Sequence, residues 1–506
     1  MMRALADRVL REPPPVTDPG DHRSVAVVGA GITGLVAAYE LRRRGVNVTL
    51  YEASEQTGGA IRTTHAKGFL AEHGPNSFVT SATVDALIAQ LDLQDDVVEA
   101  NRDANRRYIV RDGALREFPM TPFAMLSTRL FSLRAKLRVL LEPMVKAGRP
   151  GADESIASFV RRRLGPEILD YAVDPFVSGI FAGNPEQLSM AHAFPRVLEL
   201  EQEFGSLSKG LMAQMRRGRR TPPSPSAPGA GDVGGGGAAP AGGDATSGAS
   251  MPAAGARLIS FVDGMQTFTD ALQASLGGTL RLGCPVHLVH RNEERWVVDA
   301  GPEGSSQART VDAIVMATPA HVLAAMELPA AMRKHAAPVE RVEYPPMSSL
   351  TLGFARGDVA HVLDGFGMLI PAAEQRNLLG AQFSSSLFEE RAPDGHVAIT
   401  CFVGGARQPE RAREATDQIV ERVLRDLRDL LGVRGTPVFV HHVFWPRAIP
   451  QYTLGYQAVK DAVDTMEQDN PGLYLAGNYR HGVSVGDCVA SGQLVAERVE
   501  KYLAKS

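Results

Sequence analysis

The chain is predicted to be an α/β protein organised around a discontinuous Rossmann-like domain, with an α+β domain and a mostly helical region inserted into it. Three features carry that prediction. A strand, a glycine-rich turn, a helix and a second strand follow one another near the N-terminus. A second strand–glycine loop–helix unit lies near the C-terminus. Between them, a mixed and then helical stretch gives way to a run of strand-like segments.

The first unit opens with Ser24-Val-Ala-Val-Val28, a short apolar run of the kind that forms a buried parallel strand. It enters Gly29-Ala30-Gly31-Ile32-Thr33-Gly34, then an amphipathic segment ending at Gly45, then Val46-Asn-Val-Thr-Leu-Tyr51 and Glu52. This is a complete dinucleotide fingerprint. Gly29 permits the tight turn, Gly31 lets the backbone approach a pyrophosphate, and Gly34 lets helix and strand pack closely. The helix N-terminus faces the phosphates, and Glu52 is placed to accept hydrogen bonds from an adenosine ribose.

A second turn follows at once, in Ala53-Ser-Glu-Gln-Thr-Gly58-Gly59-Ala60-Ile-Arg62, and then Glu72-His-Gly74-Pro75-Asn76-Ser77. A ribose acid followed by this run resembles the FAD-containing amine oxidase and desaturase superfamily. Near the other end, Gly472-Leu-Tyr-Leu-Ala-Gly477-Asn reads as a strand and turn, and Gly482-Val483-Ser484-Val485-Gly486 leads into a helix. Such a helix N-terminus favours partial negative charge. The resemblance implies that it points at the flavin pyrimidine ring. Both units should then serve one cofactor, so the domain that holds it is discontinuous.

Composition bounds the rest. The 53 basic residues nearly balance 57 acidic ones, for a net charge of −4, which leaves no basic excess for a nucleic-acid partner. Cys284, Cys401 and Cys488 are far apart, and neither they nor the histidines show metal-ligand spacing. Apolar runs at 25–38 and 313–326 are too short to span a bilayer, which takes about 20 residues. Residues 1–22 hold a triple proline and scattered charges, with no apolar core of a secretory signal. The expected location is the cytoplasm.

Residues 221–250 are almost wholly Gly, Ala, Pro and Ser, so 216–255 is predicted to be a disordered insertion. Arg216, Arg217, Arg219 and Arg220 are its solvated flank. Strand-like segments fall at 280–290, 296–300, 313–317, 349–354 and 397–403. Residues 416–431 place Ile419, Val423, Leu427 and Leu430 on one helical face. Residues 124–146 place Leu126, Leu130, Leu133, Leu137, Leu140 and Met144 at spacings of three and four, with Arg129, Arg134, Lys136, Arg138 and Lys146 between. That pattern predicts an amphipathic helix, packed on the core or lying in a membrane interface.

Short motifs in the middle sharpen the resemblance. Asn105-Arg106-Arg107-Tyr-Ile, Ser178-Gly179-Ile-Phe-Ala-Gly183, Gly365-Phe366-Gly367-Met-Leu369-Ile-Pro371, Phe402-Val-Gly-Gly405 and Pro450-Gln-Tyr452 are similar, in order and number, to the oxygen-dependent protoporphyrinogen oxidase family. The likeness runs from about residue 25 to 499, apart from the insertion. It implies six-electron oxidation of protoporphyrinogen IX by three hydride transfers to flavin, with O2 as acceptor and H2O2 as product. FAD would be held by Gly29, Ala30, Gly31, Ile32, Thr33, Gly34, Glu52, Ala53, Gly59, Ala60, Arg62, Gly74, Pro75, Asn76, Ser77, Val286, Gly477, Val483, Ser484 and Val485.

By the same resemblance, Arg107 binds a substrate propionate, Leu369 and Phe402 sandwich the macrocycle, Phe366 and Gly367 line the slot, and Gly179 approaches a pyrrole. Gln382 stands where the family is usually apolar. No side chain is assigned as acid or base, because hydride transfer to a cofactor needs orientation first. Peripheral contact with the inner face of a membrane, a homodimer along the same stripe and product hand-off to ferrochelatase are implied too. The expected organisation has FAD-binding pieces at 23–95, 256–320 and 441–504, a mostly helical substrate and membrane region at 96–215, the insertion at 216–255 and a substrate domain at 321–440. Coproporphyrinogen oxidation, an amine oxidase or desaturase activity, and a non-enzymatic protein of the same fold are the alternatives.

Overall fold

A computed structural model describes residues 23–149, 151–220, 257–302 and 304–505. At its centre is a five-stranded parallel sheet, in the order Leu280–Arg281, Asn47–Tyr51, Ser24–Val28, Ala313–Met316, Leu473–Leu475. Its strands are supplied by three stretches of chain separated by long excursions. The run Val25–Val28 and all of Ala313–Met316 are buried, as expected where both faces of a parallel sheet are covered. One cover is the helix Ile32–Arg43, which lies against the last helix, Val485–Leu503. A Cβ on Gly492 would fall 2.7 Å from the Thr33 carbonyl oxygen, so the two backbones meet where no side chain intervenes.

An antiparallel meander, Val286–Asn292, Arg295–Ala300 and Gln307–Val311, packs beside this sheet. Trp296 is buried within it and donates its indole N–H to the Pro471 carbonyl at 3.0 Å. A mixed seven-stranded sheet forms the second body, in the order Phe439–Trp445, Met347–Ala355, His396–Gly404, Leu378–Gln382, Gly365–Leu369, Arg106–Arg111, Ala114–Glu117. Its last two strands, Arg106–Arg111 and Ala114–Glu117, come from the stretch read as mostly helical, and Gly365–Leu369 pairs parallel to the first of them. One face is covered by the helix Thr416–Leu431, whose Ile419, Val423, Leu427 and Leu430 are buried against Leu350, Leu352, Ile399 and Cys401.

The remaining helices lie mostly between Pro122 and Arg220. The continuous helix expected over 124–146 is broken into Pro122–Ser127, Leu133–Leu140 and a short turn at Glu142–Met144. The cause is local: Thr128 Oγ1 accepts the Leu130 amide, and Ser132 caps the second helix through the Ala135 amide. This break turns Leu130 into the core at 0% exposure, off the stripe to which its spacing assigned it. The helix Leu207–Arg220 runs through 216–220, where the insertion was expected to have begun; the rest of that insertion lies outside the described residues.

Leu427→Ala should cost about 2–5 kcal/mol, because it removes a fully buried side chain from the helix–sheet interface. Denaturant unfolding followed by far-UV circular dichroism measures this, and a loss below about 1 kcal/mol would contradict the packing described.

Candidate functional site

The first glycine turn is held by a carboxylate. Glu52 Oε2 accepts the Ala30 amide at 2.7 Å, while Oε1 accepts the Ser54 amide and hydroxyl, both at 2.9 Å. Gly29 sits at φ +98° and donates its amide to the Tyr51 carbonyl at 2.8 Å, which fixes the turn to the second strand. A Cβ on Gly34 would lie 1.9 Å from the Gly29 oxygen, so no other residue fits. A Cβ on Gly31, by contrast, meets nothing within 4 Å. That open space lies in front of a helix N-terminus with no side-chain cap, where the orphan amides of Ile32, Thr33 and Gly34 suit a pyrophosphate.

The second turn is tied to the first, since the Gly58 amide donates to the Ala30 carbonyl at 2.8 Å and a Gly59 Cβ would lie 3.4 Å from the Gly31 Cα. Behind it, a Gly74 Cβ would fall 2.4 Å from the Ala60 oxygen, and the His73 amide donates to the Arg62 carbonyl at 2.9 Å. These contacts bring Ala60 and Arg62 beside His73 and Gly74, from which Pro75, Asn76 and Ser77 continue the chain. The Glu52 carbonyl accepts the Cys284 amide at 2.8 Å, which draws Ala53 and the start of the strand bearing Val286 together.

At the C-terminal unit, Ser484 Oγ accepts the Asp487 amide at 3.1 Å and Asp487 Oδ2 accepts the Ser484 amide at 3.2 Å, a reciprocal cap. The Ser484 hydroxyl is thus engaged in shaping the helix start beside Val483 and Val485. Burial lifts the Asp487 carboxyl to about 6, against the lowering by the Ser484 donors. Gly477 follows the strand Leu473–Leu475 at φ +130°.

Whether these residues fit a dinucleotide is tested by what the fold leaves unsatisfied. Thr318 Oγ1 and Arg62 Nε are buried without a hydrogen-bond partner among the described residues. Thr318 also abuts the Gly29 turn, with its Cγ2 3.4 Å from the Gly29 Cβ position. Buried polar atoms are rarely left unpaired. Together with the void at Gly31, they mark a cradle that a phosphate- and ribose-bearing group completes. Thr318 was missed from sequence; it directly follows a recognised strand, and only its position at the strand's carboxyl end pointed to a ligand.

The seven-stranded sheet supplies the second half of the site. Residues opposite one another in paired strands project from the same face. One such row runs Arg107, Gly367, Gln382, Thr400, Thr351, His441, and the next runs Ile109, Leu369, Gly380, Phe402, Ser349, Val443. The face opposite the covering helix therefore carries Arg107, Gly367, Leu369, Gln382 and Phe402. Phe366 sits at a register irregularity and lies under Arg107, whose guanidinium carbon is 5.6 Å from the ring centroid. Gly179, on the helix Asp174–Phe181, covers Leu369: its Cβ would come within 2.9 Å of Leu369 Cδ2.

This face begins at the cofactor cradle. His441 Nε2 lies 3.3 Å from His73 Nε2, and the Trp445 indole N–H donates to the His73 carbonyl at 2.9 Å. The row then runs outward to Arg107. The two adjacent arginines are also told apart. Arg106 pairs with Asp364 and, at 4.0 Å, with Glu117, whereas Arg107 has no carboxylate partner among the described residues. Sequence reasoning missed the pair that braces the slot: Asp174 Oδ2 accepts from Arg407 Nη1 at 2.8 Å and from the Ala372 amide at 2.9 Å. Burial lowers the Arg407 guanidinium to about 10. Among the described residues, no three metal-ligating side chains converge.

Glu52→Ala should weaken FAD binding by roughly tenfold or more, since it removes charge-assisted bonds from the turn. Flavin fluorescence quenching on titrating the apoprotein reads this directly, and unchanged affinity would remove Glu52 from the cradle.

Comparison with known proteins agrees with this geometry. Residues 32–500 match the family described as flavin containing amine oxidoreductase. The chain is 34% identical to the mitochondrial protoporphyrinogen oxidase of Nicotiana tabacum over 95% of each chain. It is 25% identical to the coproporphyrinogen III oxidase of Bacillus subtilis, over 95% of this chain and 98% of that one. In fold it superposes on a crystal structure from Exiguobacterium sp. 255-15 with a TM-score of 0.75 at 23% identity, covering 95% and 99% of the two chains. FAD is accordingly the cofactor that the cradle fits, and the chain belongs to the flavin-containing amine oxidoreductase family.

Proposed function

We propose that this enzyme oxidises protoporphyrinogen IX to protoporphyrin IX, a step of haem and chlorophyll synthesis. The observation that carries the reading is a single sheet face that starts at the cofactor cradle, continues as an apolar surface over Leu369 and Phe402, and ends at Arg107, an arginine without a carboxylate partner among the described residues. The substrate has the matching shape: a flexible tetrapyrrole, apolar on its faces, with two propionates on one edge. Its curated relatives of similar length support the same choice.

When bound, FAD supplies an acceptor for two electrons as hydride. The protein's own residues do the positioning. Leu369 and Phe402 hold the macrocycle flat and exclude water, Phe366 and Gly367 line the slot, and Gly179, approaching a pyrrole, packs on Leu369 and fixes its place. Arg107 pins a propionate through charge-assisted hydrogen bonds, so the macrocycle is registered against the cradle. Gln382 is a polar group in this slot and tunes fit. Three two-electron oxidations, with O2 as acceptor and H2O2 as product, complete the proposed reaction.

The apolar stripe supports a peripheral membrane contact. Phe123 is 80% exposed, Leu133 82% and Met144 80%, and Met120, Leu126, Leu137 and Leu140 are exposed beside them. Arg129, Arg134 and Arg138 flank the stripe, which suits an anionic interface at the inner face of a membrane. No helix among the described residues is long and apolar enough to cross a bilayer. A dimer along this stripe, or transfer of the apolar product to ferrochelatase, would use the same surface.

The deciding experiment is aerobic turnover of protoporphyrinogen by the purified yellow protein, read as porphyrin fluorescence above autoxidation, with coproporphyrinogen in parallel. Faster protoporphyrinogen oxidation is expected; a preference for coproporphyrinogen, or no turnover of either, overturns the reading. Arg107→Ala should raise KM by roughly tenfold or more while kcat stays within about twofold and FAD content is unchanged, the signature of lost carboxylate binding. Phe123→Ser combined with Leu133→Ser should abolish co-sedimentation with anionic vesicles and spare turnover in detergent.

A further inference from the structure

A buried carboxyl lies behind the proposed slot. The strand Phe69–Glu72 crosses the slot-bearing face of the seven-stranded sheet, with Phe69 stacked on Phe439 at 4.8 Å and pressed against Gly353. Glu72 ends this strand at 3% exposure. Its Oε1 accepts the Met265 amide at 2.8 Å, and its Oε2 accepts the Thr63 hydroxyl at 2.7 Å. A small cavity separates it from Asn76 of the cofactor wall, from Gln382 of the slot, and from Ser384 and Thr400. The Ser384 and Thr400 hydroxyls are 2.8 Å apart, and Thr400 is 3.2 Å from Thr351, so linked hydroxyls form one side of the cavity, with Leu70 and Phe388 completing its wall.

The charged groups facing Glu72 are few. Arg391 borders the same cavity, but its guanidinium is engaged by Ser260 Oγ at 3.0 Å and the Phe261 and Val262 carbonyls at 2.7 and 3.0 Å. Glu390 and Asp263 act on Arg391 from outside, and the neighbouring His73 ring turns to Thr64 at 2.8 Å and to His441. Burial therefore dominates, lifting the Glu72 carboxyl to about 7 despite the lowering by Thr63, Met265 and Arg391.

The chemistry needs such a group. Each two-electron step breaks a C–H bond, whose electron pair leaves as hydride, and as that pair leaves, the macrocycle gives up one proton. Reduction of O2 to H2O2 later takes up the hydride pair together with one proton. We propose that Glu72, through the polar cavity behind Gln382, receives the proton released at each oxidation and holds it until O2 reduction consumes it. This rests on the function proposed above. A carboxylate accepts a proton only when ionised, so substrate-driven flavin reduction should rise with pH through an apparent midpoint of about 7.

Glu72→Gln is the test, because the amide can still accept from Met265 and bond to Thr63. Anaerobic rapid mixing of the FAD-loaded protein with porphyrinogen should show flavin reduction slowed by roughly tenfold or more and flat with pH, while Glu72→Asp keeps a pH-dependent limb. Independently of turnover, infrared difference spectra of the protein carrying carbon-13 glutamate should contain a protonated-carboxyl band that titrates near pH 7. Equal rates and an unchanged pH profile in Glu72→Gln overturn the proposal. If that variant fails to hold FAD, absence of the titrating band from the unsubstituted protein overturns it instead. Failure of the underlying function is distinguishable, because the unsubstituted protein would then oxidise neither porphyrinogen.

Discussion

The close packing of the first helix on the last is the constraint on which the site depends. Ile32–Arg43 and Val485–Leu503 stand at opposite ends of the chain, yet their backbones approach across Gly492 and the Thr33 carbonyl to a distance that admits no Cβ. Gly34 performs the same service toward Gly29. These contacts set the uncapped N-terminus of the first helix against the body of the last. Everything inserted between the two helices is built onto a frame closed by its own termini.

The second sheet obeys a different logic. Its period of two sends Leu350, Leu352, Ile399 and Cys401 to the covering helix and sends Ser349, Thr351, Thr400 and Gln382 to the other face. A wholly structural sheet would make both buried faces apolar, because a buried hydroxyl or amide costs free energy unless it is satisfied. Thr351, Thr400 and Ser384 satisfy one another, whereas Ser349 Oγ is left without a partner among the described residues. That pattern fits a face made to meet a ligand. Arg107 stands at one end of this face, and Glu72 and Arg391 border the cavity behind its polar row.

The surface stripe shows how a break in secondary structure can serve exposure. A single helix over 124–146 would direct Leu130 and Leu133 to one face. The caps at Thr128 and Ser132 instead fold Leu130 inward and leave Leu133, Leu137 and Leu140 outside. Both segments then present apolar residues to the same exterior, between basic neighbours. The nearby buried ion pairs of Arg163 with Glu142 and Glu201 anchor the short turn at Glu142–Met144 to the helices beneath it.

The two glycine units were legible in the amino-acid sequence because their demands are local. A tight turn, a close helix–strand approach and a carboxylate that holds the turn are each specified by residues within one strand–turn–helix segment, so Gly29, Gly34 and Glu52 announced themselves. The apolar spacing of 416–431 was legible for the same reason. What sequence left open depends on partners far along the chain. Arg106 and Arg107 are equivalent until Asp364 claims the first of them. Thr318, the Asp174–Arg407 pair and Glu72 carry no local signature, since an unpaired hydroxyl, a brace between elements and a carboxyl lifted by desolvation exist only once distant segments have buried them. Tertiary structure alone decided these, because burial is a property of the packed chain and not of the residue.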